Sequence, residues 1–260
     1  MEQDLEQKII QANIDLHQKE ARFYDQIHPE IFCKSEQNLI KNTLNQSLAE
    51  IKQDKIKALD LGAGTGNITL KLLENEKVES IVAVDLSKEM LDELDKKTGA
   101  NPKLKIANKP ADIFLMDDEE KYDLITISSV LHHLPDYFQT IATLLEKLNE
   151  NGIFIIFHEP TGEKSKLLRF LEWLDVRIFV NLFLIGEVKK IAKSLDYTYS
   201  DYHVYHKFDL LGVKKFLAEK NDIEIIFFQK HNTFYLKLFR WLGKLIPTKN
   251  SFILAVKKVK

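Results

Sequence analysis

Three glycines spaced two apart, behind an acid and ahead of a helical pattern, are the first residues in this chain that could do chemistry. The stretch reads Asp60-Leu61-Gly62-Ala63-Gly64-Thr65-Gly66-Asn67. Glycines accept positive φ and let a ligand approach the main chain closely. The helical pattern that begins at Asn67 leaves free N–H donors beside the turn. This is the grammar of a cofactor loop. It is not a dinucleotide fingerprint, because Asn67 stands where the last glycine of G-x-G-x-x-G belongs. Nor is it a P-loop, which needs Gly-Lys-Ser/Thr. A carboxylate at Asp60 would repel a pyrophosphate and attract a cationic ligand.

A second acid, Asp85, closes the apolar run Ser80–Asp85. An acid at the end of the second strand, about 20 residues beyond such a loop, accepts hydrogen bonds from ribose hydroxyls. Asp85 and the following Leu86 are therefore expected in the cofactor site, and Ser87 is free to cap the next helix. Imidazoles cluster further on, at His132-His133 and at His158-Glu159. Both groups follow apolar runs, and in an open α/β sheet ligands sit outside the carboxyl ends of the strands. His133 and His158 are the candidate general bases, ahead of His132 and beside Glu159; each reads alternatively as a residue that only shapes a pocket. His132 and His133 are adjacent without a third ligand at metal spacing, and there is one cysteine, Cys33, so no metal site is expected.

The elements that must position these groups alternate strand and helix, the pattern of a parallel sheet. Strands are expected at 55–61, 80–85, 103–107, 122–128, 152–158, 222–230 and 251–257. Residues 1 to 53 read as helices broken near Pro29, and 167–185 as a helix apolar on most sides, which something must cover. In 234–246, Phe234, Tyr235, Leu238, Trp241, Leu242 and Leu245 share one helical face and Lys237, Arg240 and Lys244 another. That helix either meets a membrane surface or packs on its own core or a second copy.

The loop closely resembles motif I, (D/E)-x-G-x-G-x-G, of the class I S-adenosylmethionine (SAM)-dependent methyltransferases. The segment Leu131-His132-His133-Leu134 resembles the stretch after strand 4 in the ubiquinone and menaquinone biosynthesis type. The resemblance covers residues 55–160 specifically and the terminal strands in outline. It implies a Rossmann-like seven-stranded α/β sheet of order 3-2-1-4-5-7-6. An N-terminal helical cover (1–54), a SAM-binding core (55–160), a lid after strand 5 (161–208) and a C-terminal part (209–260) would make up the chain. It further implies SAM as cofactor, held by Asp60, Gly62, Gly64, Gly66, Asp85, Leu86, Asp112, Ile113 and Ser128. Asp112 would accept from the adenine amino group, the Ile113 N–H would donate to the ring, and the Ser128 backbone would lie near the methionine end. Tyr24, in the cover, either faces the site or packs its helix on the core.

The implied activity is methyl transfer to a small, hydrophobic or amphiphilic acceptor. Two other readings keep the fold: a different SAM-fold chemistry such as cyclisation, or a non-catalytic subunit that supports a partner. The formal net charge of −2 supplies no basic field for nucleic acid. An (N/D)-P-P-(Y/F) segment is missing after strand 4, which argues against DNA adenine or protein glutamine as acceptor. The charged N-terminus lacks a signal-peptide core and no apolar run is long enough to span a membrane, so a cytoplasmic protein is expected.

Overall fold

Strands that are nearly all apolar must be covered on both faces, and the three that carry the loop and the histidines sit in the middle of the sheet. The computed structural model describes residues 2–110, 114–116, 119–205 and 207–259. Among these, seven strands form one sheet of order β3-β2-β1-β4-β5-β7-β6. They are β1 (Ile56–Leu61), β2 (Val78–Asp85), β3 (Leu104–Asn108), β4 (Tyr122–Ser128), β5 (Leu148–Pro160), β6 (Ile223–His231) and β7 (Ser251–Lys258). Neighbours from β3 to β5 pair in parallel, and β7 runs antiparallel to both β5 and β6. The implied order is the observed one. The expected strand at 152–158 starts four residues earlier, because Leu148 already pairs with Tyr122.

Among the described residues, nine longer helices flank the sheet. The cover holds α1 (Glu2–Glu20) and α2 (Lys34–Glu50), joined by short turns at 21–32. Next come α3 (Thr69–Leu73), α4 (Lys88–Thr98) and α5 (Tyr137–Glu146). The lid is α6 (Lys166–Ile178) followed by α7 (Gly186–Ser194), the latter not expected from the sequence. Then come α8 (Leu210–Ala218) and α9 (Lys237–Lys244). Ser87 caps α4 as expected, its Oγ accepting from the Met90 N–H at 3.3 Å. On one face of the sheet β-strand residues pack with α5 and α8; on the other they pack with Ile40, Leu44 and Leu48 of α2. Among the described residues no helix is long and apolar enough to cross a membrane.

The cover is tied down by charge. Glu20, 1% exposed, accepts from His17 Nδ1 and His28 Nε2, both at 3.0 Å, and His28 Nδ1 reaches Glu30 at 3.2 Å. Asp25 accepts from the Thr65 hydroxyl at 2.6 Å and from Lys97 at 2.7 Å, which anchors the cover to the glycine loop. Burial opposes a charge on His28, but Glu20 and Glu30 outweigh it and raise its pKa to about 10. Burial likewise opposes ionised Glu20, and His28 and His17 outweigh it, holding the carboxyl down at about 2. A histidine with a raised pKa lends stability that is complete below its unfolded value and is lost as pH climbs to its folded value. The melting temperature of the whole chain is thus expected to fall between pH 6.5 and about 10. In Glu20→Gln that limb should flatten, as thermal scans across the window will show.

Candidate active site

The glycine loop leaves β1 and turns under the end of β2. Gly62 and Ala63 donate their N–H groups to the Val84 carbonyl at 2.8 and 3.0 Å. Gly62, Gly64 and Gly66 have φ of 70°, 52° and 97°. A Cβ on Gly62 would strike Val130 and one on Gly66 would strike Leu94, whereas one on Gly64 would enter open space. That space is a cavity of about 290 Å³ lined by Gly62, Gly64, Asp85, Leu86, Ser128 and Tyr24, among others. Asp85 Oδ2 accepts from the Gly64 N–H at 2.8 Å and Oδ1 from the Ser87 N–H at 2.9 Å. Burial raises its pKa, against those N–H groups and His17. One half-buried acid thus fixes the loop and still faces the cavity. Tyr24 lines the cavity and packs on Phe32 and His28 within the cover.

Two of the expected cofactor residues do not line this cavity. Asp60 is 1% exposed and accepts from the Thr69 and Thr126 hydroxyls at 2.6 and 2.8 Å, so it braces β1 against α3 and β4. Burial lifts its pKa to about 6, against the pull of both threonines. Gly66 is needed where Leu94 presses on the loop. Asp112 and Ile113 lie outside the described residues.

A second cavity, of about 600 Å³, opens between the strand ends and the lid, and Ser129 is on the wall of both. Ser129, just past β4, and His158, at the bulge near the end of β5, each have φ of 55°, a backbone state uncommon outside glycine. They hold one another: the Ser129 N–H donates to Phe157 O at 3.0 Å and its hydroxyl to His158 O at 3.3 Å. The adjacent histidines part company here. His133 faces the first cavity, and its Nδ1 donates to Ser200 O at 2.7 Å. Burial and the neighbouring imidazoles His132 and His17 keep it well below its ordinary pKa. His132 faces the second cavity, and its Nδ1 donates to Glu159 Oε2 at 2.8 Å. Glu159 is fully buried and also accepts from the N–H groups of Val130, Leu131 and His132. Burial opposes a proton on His132, and Glu159 outweighs it, so the pKa is raised. His158, the other expected base, also reaches the second cavity, with its Nε2 3.3 Å from Glu36. Glu36, Asp201 and His231 join the strand-end histidines without any spacing in the chain to announce them.

Comparison with known proteins agrees with this geometry. Residues 59–154 match the model of a methyltransferase domain. A malonyl-[acyl-carrier protein] O-methyltransferase of Halalkalibacterium halodurans is 27% identical over 139 residues, 53% of this chain and 51% of that protein. A demethylmenaquinone methyltransferase of Shouchella clausii is 26% identical over 160 residues, 60% of this chain and 67% of that protein. The chain spans about half the length, or less, of the first curated relatives it matches. A SAM-dependent methyltransferase from Clostridium acetobutylicum superposes over 92% of this chain and 98% of its own, with TM-score 0.58 at 16% identity. The plantazolicin methyltransferase BpumL, bound to S-adenosylhomocysteine, does so over 98% and 99%, with TM-score 0.59 at 13% identity. Residues 59–154 thus resemble a methyltransferase domain, and the chain has the Rossmann-like fold of solved SAM-dependent methyltransferases.

The loop glycines should separate folding from binding. Gly62→Ala overpacks against Val130 and is expected to cost about 1–3 kcal/mol in urea unfolding. Gly64→Val meets no neighbouring atom, so its fold should survive with about 1–2 kcal/mol of left-handed strain. Its side chain would fill cofactor space, and calorimetric titration with S-adenosylhomocysteine should show no binding.

Proposed function

We propose that this chain transfers a methyl group from SAM to an ionisable oxygen, nitrogen or carbon of a small amphiphilic molecule. The observation that carries the reading is the His132–Glu159 pair, which opens on a cavity that shares a wall, Ser129, with the cofactor cavity. SAM, when bound, supplies the electrophilic methyl. The chain's own residues bind, orient and move a proton. Asp85 would accept from the ribose hydroxyls, with Gly62, Gly64, Leu86 and Ser128 around the cofactor. Glu159 holds the Nδ1 proton of His132, which leaves Nε2 as the base for the acceptor's proton. His133 is the alternative base on the cofactor side, and His158 lies deeper in the acceptor wall. The acceptor cavity mixes Ile31, Trp173 and Val176 with Lys164, Asp175 and Asp201, which favours an amphiphilic acceptor over a wholly apolar one.

S-adenosylhomocysteine release, assayed with carboxylic, phenolic and enolic acceptors, tests this reading. Cyclisation, or a supporting role without catalysis, would give none. His132→Gln should lower kcat by about 10²–10⁴-fold. Because Glu159 raises the His132 pKa, with Asp201 in the same sense and Lys164 against it, the acid limb of kcat/KM should lie above pH 6.5. Glu159→Gln should move that limb to lower pH. Asp85→Ala should weaken cofactor binding on the order of tenfold to a hundredfold per lost hydroxyl bond.

A contact with an anionic membrane surface is the second part of the reading. Leu238 and Trp241 of α9 and Leu245 just past it are 61%, 59% and 69% exposed, while Phe239 of the helix and Ile246 beyond it are buried. Leu167, Phe170 and Trp173 of α6 are exposed as well. Asp175 of α6 accepts the N–H groups of Tyr235 and Leu236 and so fixes the entry to α9. Lys237 and Lys244 flank the stripe in solvent, while Arg240 is turned to the carbonyls of Phe234 and Tyr235. Cations near such a surface contribute about 1 kcal/mol each, so attachment would be weak and sensitive to salt. Sedimentation with anionic vesicles at low salt should exceed that with neutral ones, and Trp241→Ala should abolish the difference.

A further inference from the structure

We propose that Glu36, His158 and His231 bind a divalent first-row metal ion, zinc above all, in the wall of the acceptor cavity. Glu36 is in the first turn of α2, His158 at the bulge near the end of β5, and His231 at the end of β6. β7 lies between those two strands and pairs Ser251 with both Pro160 and His231, which brings the histidines to one sheet edge. Glu36 Oε2 is 3.3 Å from His158 Nε2 and 3.1 Å from His231 Nε2. One ligand atom from each residue lies within 4.8 Å of the other two. Zinc bonds of about 2.0–2.1 Å in a tetrahedron place neighbouring ligand atoms about 3.3 Å apart.

The polar inventory points the same way. The side chains of His158, His231 and Glu36 are 3%, 10% and 8% exposed. His158 Nε2 and His231 Nε2 both turn to the same Glu36 oxygen. Two imidazole nitrogens converging on one buried carboxylate oxygen are the arrangement a metal ion would satisfy. His132, His133 and Asp201 also cluster, but there both Nδ1 atoms already donate, to Glu159 and Ser200. Two histidines and one glutamate leave a fourth position for an exogenous ligand. His158 lines the acceptor cavity, so that ligand would be an anionic oxygen of the acceptor. This last role rests on the methyl-transfer reading; the metal site does not.

The test uses the full chain after treatment with a chelator. Titration with Co²⁺ should give saturable binding of one ion with the intense visible bands of four-coordinate cobalt, and Zn²⁺ should displace it and raise the melting temperature. Glu36→Gln and His231→Gln should each weaken binding by more than about 100-fold, with circular dichroism confirming the fold, while His132→Gln should bind as the unsubstituted chain does. Absence of saturable binding, binding unchanged in His231→Gln, or binding lost in His132→Gln would overturn the proposal. None of these readouts depends on methyl transfer, so a failure here and a failure of the enzymatic reading are distinguishable.

Discussion

One carboxylate, Glu159, joins the two halves of the site. It is wholly buried at the end of β5, and it accepts from three successive main-chain N–H groups and from the imidazole of His132. An isolated charge in such a place would be expensive. Four donors make it tolerable, and each is thereby fixed in direction. The turn after β4 is consequently pinned to the next strand, and Ser129 is held as the partition between the two cavities. Removing one side of such an arrangement costs more than its net contribution, because the remaining polar groups lose their partners in a place that water cannot enter.

Asp85 does the same work at the other end of the cofactor cavity. It both lines the cavity and accepts from the Gly64 N–H. Asp60 is purely internal, with its charge offset by two threonine hydroxyls. Two acids that read alike in the chain therefore differ in role by which side of β1 and β2 their side chains occupy. The cover adds a third set of buried charges, in which Glu20 sits between His17 and His28. Asp25 then links the cover to Thr65 and Lys97 across the loop. Closure over the cavity is thus built from charge-assisted hydrogen bonds, which depend on pH in a way that apolar packing does not.

The antiparallel strand β7 decides what surrounds the acceptor. By running back between β5 and β6 it lets their ends meet at the same sheet edge. The lid and the α9 arm share an apolar cluster, in which Leu168 meets Phe234, Phe239 and Ile246, and Asp175 pins the entry to the arm. Their outward faces retain Phe170, Trp173 and Trp241 in solvent, a composition typical of surfaces that meet something else.

The order of the strands, the glycine turn, the place of Asp85 at the end of β2 and the capping Ser87 were legible in the sequence because each rests on local rules. Apolar runs mark buried strands, glycines mark positive φ, and an acid or serine at a strand end has a short-range reason to be there. Which histidine faces which cavity was not legible. His132 and His133 are neighbours in a short helical turn, and their side chains point to different cavities only because Glu159 and Ser200 draw them apart. The grouping of Glu36, His158 and His231 was legible still less. Those residues are brought together from α2, β5 and β6 by packing across the sheet. Local sequence determined the elements and the loop chemistry, whereas long-range pairing alone decided which polar side chains share a buried space, since no periodicity in the chain encodes a contact between its distant parts.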